Sequence, residues 1–281
     1  MSSDNNQTRR KMFKTGLAVI SGVAIAAGSS PVPAEAQRSG KETVKVKYSD
    51  LLPHEFRSRL AEKSLAYLPL GTLEWHGEHL PIGSDAIQAE SMMIECAKQY
   101  GGIVLPPVHI GPGPTKLMDD GRLLIGMDFW NNIVDPPRQL DGDCYWIPDG
   151  LFVSMIDGIL TQLKRTGFTA VFADGHGPSR GSWVRELSRR EAHFGLKLFG
   201  VTNDIRKEWR SQTDHAAKNE TSLVMHYRPD LVDMSQLSSS RSDWPLGVAG
   251  DDPCDATAAH GEECMNASIG LMIKKFTEAG V

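Results

Sequence analysis

The chain has few cysteines, no surplus of positive charge and no long, strongly apolar run. Four cysteines stand among 281 residues, Cys96, Cys144, Cys254 and Cys264. None belongs to a CxxC pair, which argues against a zinc ribbon. A short-loop disulfide between Cys254 and Cys264 stays open, and so does a set of free thiols with Cys96 buried in a helix. Thirty Lys and Arg face 35 Asp and Glu, a formal net charge of -5. With no basic stripe and no aromatic platform, nothing suggests a nucleic-acid partner. Internal repeats and long low-complexity tracts are missing too. What remains is ordinary globular material, 40% hydrophobic and 23% charged, enough for a full core.

The first 36 residues read as separate from the fold. Arg9 and Arg10 stand side by side ahead of "GLAVISGVAIAAG", and "SSPVPAEA" then sets Ala34 and Ala36 at the spacing a signal peptidase reads. This predicts a twin-arginine signal peptide over 1–36 and a periplasmic mature chain, 37–281, forming one domain. The apolar run is short and rich in Gly and Ala, so no membrane span is expected after cleavage. An uncleaved anchor is the alternative. Export by the twin-arginine route usually carries folded proteins, often with a cofactor loaded, and so hints at a metal.

Along the mature chain, strands alternate with helices. "SLAYLPLG" (64–71), "GIVLPPVHI" (102–110), "FTAVFADGHG" (168–177) and "LKLFGVTND" (196–204) read as strands. Helical periodicity covers 85–100, with Asp85 as N-cap, and 151–167, closed by Gly167. Further helices are predicted over 182–195 and 256–280, and 214–232 opens with acid and His, becomes helical and stops before Pro229. The alternation predicts an α/β domain with a largely parallel sheet. Residues 111–149, rich in Gly, Pro and Asp, form a long irregular segment, and such segments are usually functional.

Polar groups gather where the predicted strands end. Glu74, His76 and Asp85 follow the first strand, in "GTLEWHGEHLPIGSD" (71–85). Asp174 and His176 end another, and His215 and Glu220 follow a third. Ligands of such sheets bind beyond the carboxyl ends of the strands. In an extended segment residues two apart share a side, so Glu74 and His76 can reach one centre. Mixed oxygen and nitrogen donors suit zinc, manganese or iron. Asp174 is a candidate to orient His176 through its second ring nitrogen. His79 is read as structural rather than catalytic. Trp130 and Trp146 are candidates to line a pocket, with core packing as the alternative.

Three motifs resemble those of the creatininase (creatinine amidohydrolase) family. "GTLEWHGEHLPIGSD" is similar to that family's GS-x-E-Q-H-G-x-H-L-P-L-x-T-D, "DGHGPSR" to N-G-H-G-G-N, and "HAAKNETSLVMHYRPDLV" to H-A-G-x-x-E-T-S followed by R-P-x-L-V. They occur in the family's order, and the resemblance covers roughly residues 60–280. The resemblance implies a three-layer α/β/α sandwich, a two-metal amide hydrolase and a homo-oligomer, commonly a hexamer. By the same resemblance Glu74 and His176 bind one ion, His76 binds the other and Asp85 bridges them, with zinc favoured over manganese or iron. The family's glutamate two residues after the Gly-His turn is replaced by Pro178, so Glu220 would complete the second site. His215 resembles the catalytic histidine.

Two departures stand out. The family's Tyr-Gly-Ser-x-x-His and Phe-Pro-Gly-Thr segments are not found in "VHIGPGPTKLMDDGRLLIGMDFWNNIVD". Arg180 stands at or beside a usual Asn. A rebuilt pocket wall makes creatinine itself a doubtful substrate. The expectation is hydrolysis of a cyclic amide or related non-peptide C–N bond in a small-molecule substrate. A maturation-type peptidase and a non-catalytic periplasmic metal-binding protein are the alternatives.

Overall fold

The computed structural model describes residues 44–130 and 133–281. The expected signal peptide lies outside them. After α1 (Pro53–Glu62) come β1 (Leu65–Leu70), α2 (Ser84–Tyr100) and β2 (Ile103–Val104). A small antiparallel hairpin follows, β3 (Thr115–Leu117) with β4 (Leu123–Ile125). The chain then runs through α3 (Asp149–Thr166), β5 (Ala170–Gly175), α4 (Gly177–Arg185), α5 (Leu187–Phe194) and β6 (Lys197–Phe199). It ends with α6 (Lys218–Tyr227) and α7 (Ala258–Glu278). Strands β2-β1-β5-β6 form a parallel sheet in that order.

Alternation along the central strands builds the layers. Leu65 and Tyr67 of β1, with Ala170 and Phe172 of β5, face a core completed by α2 and α7. Ala66, Leu68 and Leu70, with Val171 and Ala173, face the opposite core, completed by α3 and Trp183 of α4. A period of two sends neighbours to opposite faces, so a strand buried on both sides reads as an unbroken apolar run. Tyr67, Phe172 and Phe276 meet edge to face, with centroids 5.9–6.3 Å apart. In α3, Phe152, Ile156, Leu160 and Leu163 form one buried stripe. The helix closes on left-handed Gly167, whose N–H reaches the Leu163 and Lys164 carbonyls.

Several expected elements come out shorter. The predicted strand 102–110 shrinks to Ile103–Val104, because Pro106 and Pro107 offer no N–H to a ladder. The chain still follows β1, with the Val108 N–H donating to Pro69 and the Gly71 N–H to Val108. Helix 182–195 divides in two and begins earlier, at Gly177, directly after His176. As expected, the segment 214–232 becomes helical after its acidic and histidine opening, at Lys218, and stops before Pro229; the Asp214 side chain accepts from the Asn219 and Glu220 N–H groups and takes up orphan donors of the first turn. Asp85 is not an N-cap but lies inside the first turn of α2. All four cysteines are free thiols, so Cys254 and Cys264 are not bridged.

Candidate metal centre

The ends of β1 and β5 lie side by side, Leu70 paired with Gly175. The His176 N–H donates to the Leu70 carbonyl at 2.8 Å. Gly175 makes this possible: its φ is +146°, and a Cβ there would stand 1.7 Å from the Leu70 oxygen. The turn then drops His176 into the space below the segment carrying Glu74 and His76. Asp85 enters from α2 and Glu220 from the first turn of α6.

These five side chains and His215 converge on one centre. His76, Asp85, His176, His215 and Glu220 are buried, and the Glu74 side chain is 12% exposed. Donor atoms of Glu74, Asp85 and His176 lie within 4.8 Å of one another, and so do those of His76, Asp85 and Glu220. Asp85 is common to both groups. A third group joins Glu74, His76 and His215.

The separations are informative. His76 Nε2 stands 3.7 Å from Asp85 Oδ2 and 3.5 Å from Glu220 Oε2, and His176 Nε2 stands 3.5 Å from Glu74 Oε2. These distances are long for direct hydrogen bonds. They match two ligand atoms flanking one tetrahedral ion, which stand about 3.4 Å apart for bonds near 2.1 Å. The outer ring nitrogens are already engaged. His76 Nδ1 is 3.1 Å from the Glu74 carbonyl, which can only accept, so Nδ1 carries the proton and Nε2 keeps its lone pair. Both His76 Nε2 and Asp85 Oδ2 are buried with no hydrogen-bond partner. Orphan polar atoms in a buried cluster are costly unless something compensates them. The donor set therefore fits divalent cations.

Electrostatics agree. Burial and the Glu74 carboxylate push the Asp85 carboxyl up to about 8. Burial, Asp85 and Asp214 raise Glu220 well above the usual range. Burial and the neighbouring His215 bring His76 down to about 3. Burial also works to raise Glu74, but the His176, His215 and His76 imidazoles outweigh it and hold this carboxyl low. Protein groups alone leave the cluster short of positive charge.

His215 is placed by its backbone and by its ring. Its N–H donates to Ala249, and the Ala249 N–H returns the bond. Its Nε2 lies 2.8 Å from the Trp75 carbonyl, so Nε2 carries the proton. Nδ1 is then the free lone pair, 3.8 Å from Glu74 Oε1. Gln212 and Ala216, on either side, adopt φ values of +51° and +50°. Left-handed backbone costs non-glycine residues about 1–2 kcal/mol each.

The remaining candidates separate. Asp174 does not orient His176; Ser179 Oγ does, 2.9 Å from Nδ1. The next-turn hydroxyl reaches that nitrogen, while the Asp174 carboxylate is taken by Arg180. His79 is buried against α6 through Thr221 Oγ1 at 2.9 Å and stands outside the candidate metal groups. Trp130 lines the pocket and meets the His215 ring edge-on at 5.9 Å. Trp146 lines it too, with its indole N–H bonded to the Gly113 carbonyl. Ser179 and Asp143 were missed by sequence reasoning. A serine three residues after a histidine at a helix start was the available signal for the first.

A cavity of about 440 Å³ opens over the cluster. Its outer wall is formed by residues 111–114, 125–127, 130 and 143–146, with Gly111 N–H donating to Tyr145 and Ile147 N–H to Gly111. Asp143 lies in the wall, accepting from the Trp75 N–H. Burial, Glu74 and Asp128 push its carboxyl up to about 7.

A parallel three-layer sheet carrying this donor set at its carboxyl edge defines a metal-dependent hydrolase of the α/β/α class. The family model for Creatininase (creatinine amidohydrolase) matches residues 49–126 and 142–276, and the chain belongs to that family, whose members are metal-dependent amidohydrolases acting on C–N bonds. The mycofactocin precursor peptide peptidase of Mycobacterium ulcerans (strain Agy99) is 24% identical over 230 residues, covering 69% of this chain and 77% of that protein. The creatinine amidohydrolase of Pseudomonas putida is 23% identical over 206 residues, covering 65% and 72%. A crystal structure of creatininase superposes with a TM-score of 0.62 at 17% identity, over 83% of this chain and 97% of its own. A mutant creatininase of Zn–Zn type and a creatininase Mn form have also been solved. Residues 127–141, which include the pocket-lining Met127 and Trp130, fall between the two matched stretches.

Proposed function

We propose that this amidohydrolase opens a cyclic amide, or cleaves a related non-peptide C–N bond, using two divalent ions. The shared Asp85, common to two buried three-residue donor groups, carries the reading. Glu74, Asp85 and His176 would hold one ion, and His76, Asp85 and Glu220 the other. Zinc is favoured by the mixed imidazole and carboxylate set, with manganese or iron as alternatives. Such ions supply a water nucleophile at neutral pH and polarise the scissile carbonyl.

The chain's own groups do the rest. His215, with its Nε2 proton committed to Trp75, offers Nδ1 to accept a proton at the centre and pass it to the leaving nitrogen. Ser179 and the Glu74 carbonyl fix the ring orientations of His176 and His76. Trp130 closes the space beside His215, giving a ring substrate a flat surface. The cavity suits a small molecule, within the usual range of about 300–1,000 Å³. Its wall departs from the family pattern, which argues against creatinine and for another amide.

A screen of lactams, hydantoin, dihydrouracil, creatinine and short peptides, run on zinc- and manganese-loaded protein, tests the reading. Turnover of a lactam or ureide above creatinine and peptides is the expected result; efficient creatinine or peptide cleavage overturns the substrate class. His215→Ala should keep its metal and lose about 10²–10⁴-fold in kcat. The mature protein is further proposed to be periplasmic and homo-oligomeric, the first supported by the N-terminal arginine pair and the second by family resemblance.

A further inference from the structure

We propose that the Asp174–Arg180 pair is a positioning device for His215, clamping the left-handed turn that delivers this histidine onto the end of β5. The inference rests on the reading of His215 as the proton-transferring group. Asp174 is fully buried near the end of β5, two residues before His176. Arg180 lies in α4, four residues after His176, and its side chain is 18% exposed. The guanidinium grips the carboxylate with two donors, Nε to Oδ1 and Nη2 to Oδ2, the latter at 3.1 Å. Its remaining reach goes to main chain: Nη1 donates to the Gln212 carbonyl at 3.1 Å and Nη2 to the Ser211 carbonyl at 3.3 Å.

Those two carbonyls open the stretch that needs holding. Residues 211–217 lie in neither helix nor strand. Gln212 and Ala216 hold positive φ on either side of His215. Unfavourable backbone of this kind persists only where surrounding contacts over-determine it. Toward α6, the Asp214 carboxylate accepts from the Asn219 and Glu220 N–H groups and the Ala216 N–H donates to Glu220. At the centre, Ala249 pairs with His215. Upstream, the Arg180 fork holds the turn. A lysine could meet the carboxylate but could not span two carbonyls in one plane.

A buried ion pair is weak evidence for stability, because desolvating both charges offsets most of their attraction. An apolar pair of similar size would keep the fold, so the pair's value here is directional. It ties the strand that delivers His176 to the turn that delivers His215, and so keeps both rings in register with Glu74.

The test is the double variant Asp174→Leu/Arg180→Met, with Arg180→Lys as a gentler second variant, each loaded with zinc. The first readout needs no substrate: the His215 Nε2–H resonance in histidine-labelled protein, which reports the bond to the Trp75 carbonyl. It should shift or disappear in the double variant while metal content stays at the wild-type level. The second is kcat and KM for hydantoin or dihydrouracil, whichever the wild type turns over faster. A loss of about 10–100-fold in kcat with KM little changed is expected, since small misplacements of a catalytic group cost this much. If the double variant does not fold, Arg180→Lys decides the matter by the same two readouts, with a smaller loss. An unmoved resonance and kcat within twofold of wild type overturn the clamp. Wild-type turnover by His215→Ala would instead overturn the role of His215, while the resonance still decides whether the clamp positions its ring.

Discussion

At the scale of single residues, the centre is built by exclusion of alternatives. Each imidazole has one nitrogen tied to a neighbour, which leaves the other free: His76 to the Glu74 carbonyl, His176 to Ser179 and His215 to the Trp75 carbonyl. In the proposed two-ion reading, Glu220 is the residue on which the second site would depend, because the Pro178 side chain has no ligand atom. Glu220→Gln should lower bound metal from about two ions per chain toward one, as a two-metal site with a lost ligand requires. Elemental analysis after dialysis reads this directly. Retention of both ions would show that Glu220 is not a ligand. The variant also bears on position: Glu220 accepts from the Ala216 N–H, and glutamine can still accept there. A loss of metal without a loss of fold would thus separate ligation from support of the turn. Among these residues the sequence made legible which carboxylates and imidazoles gather at one place, through motif order and strand-end placement. It did not make Ser179 or the Arg180 fork legible, since nothing local says which of two nearby groups a ring nitrogen will choose.

Elements explain where the site is anchored. The motif segments leave the carboxyl ends of β1 and β5, which sit centrally in the sheet with a strand on either side. Helix α3 is fastened to α5 by Asp157, whose carboxylate meets Arg190 Nε and Arg189 Nη2 at 2.7 Å each. Burial opposes ionisation of Asp157, but the Arg190 and Arg189 guanidiniums prevail and hold its carboxyl below the ordinary 3.8. A depressed folded-state value means the link contributes stability above pH 3.8 and loses it as the pH falls through the folded value. Asp157→Asn should lower Tm at pH 7, and the gap from wild type should narrow steadily on acidification below pH 4. Thermal melts across pH 2.5–7 check this; a gap independent of pH would remove the ion pair as its cause. Long periodic elements such as α3, α2 and α7 were legible to within a few residues. The short strands β2 and β6 were not, because prolines and ladder partners, rather than composition, decide how far pairing runs.

For the whole molecule, residues 127–141 fall outside the stretches that the family model matches, and they include the pocket-lining Trp130. Trp130→Ala and Trp146→Ala should raise KM several-fold for the preferred amide and leave metal content unchanged, as expected for loops that carry specificity on a rigid scaffold. Unchanged KM in both would assign these indoles to packing alone. The proposed export would be a property of the full chain. Arg9→Lys with Arg10→Lys should hold the precursor in the cytoplasm, read by fractionation; normal periplasmic accumulation would exclude the twin-arginine route. The amino-acid order by itself determined the strand–helix alternation, the two-faced burial of β1 and β5, and the identity of the carboxylates and imidazoles, because these follow from local periodicity and residue chemistry. Only the tertiary structure decided that Asp174 serves Arg180 and not His176, that His79 braces α6 through Thr221, and that His215 is pinned by Trp75 from 140 positions away. Those choices depend on which side chains are left facing one another once distant segments pack, and no local pattern encodes that geometry.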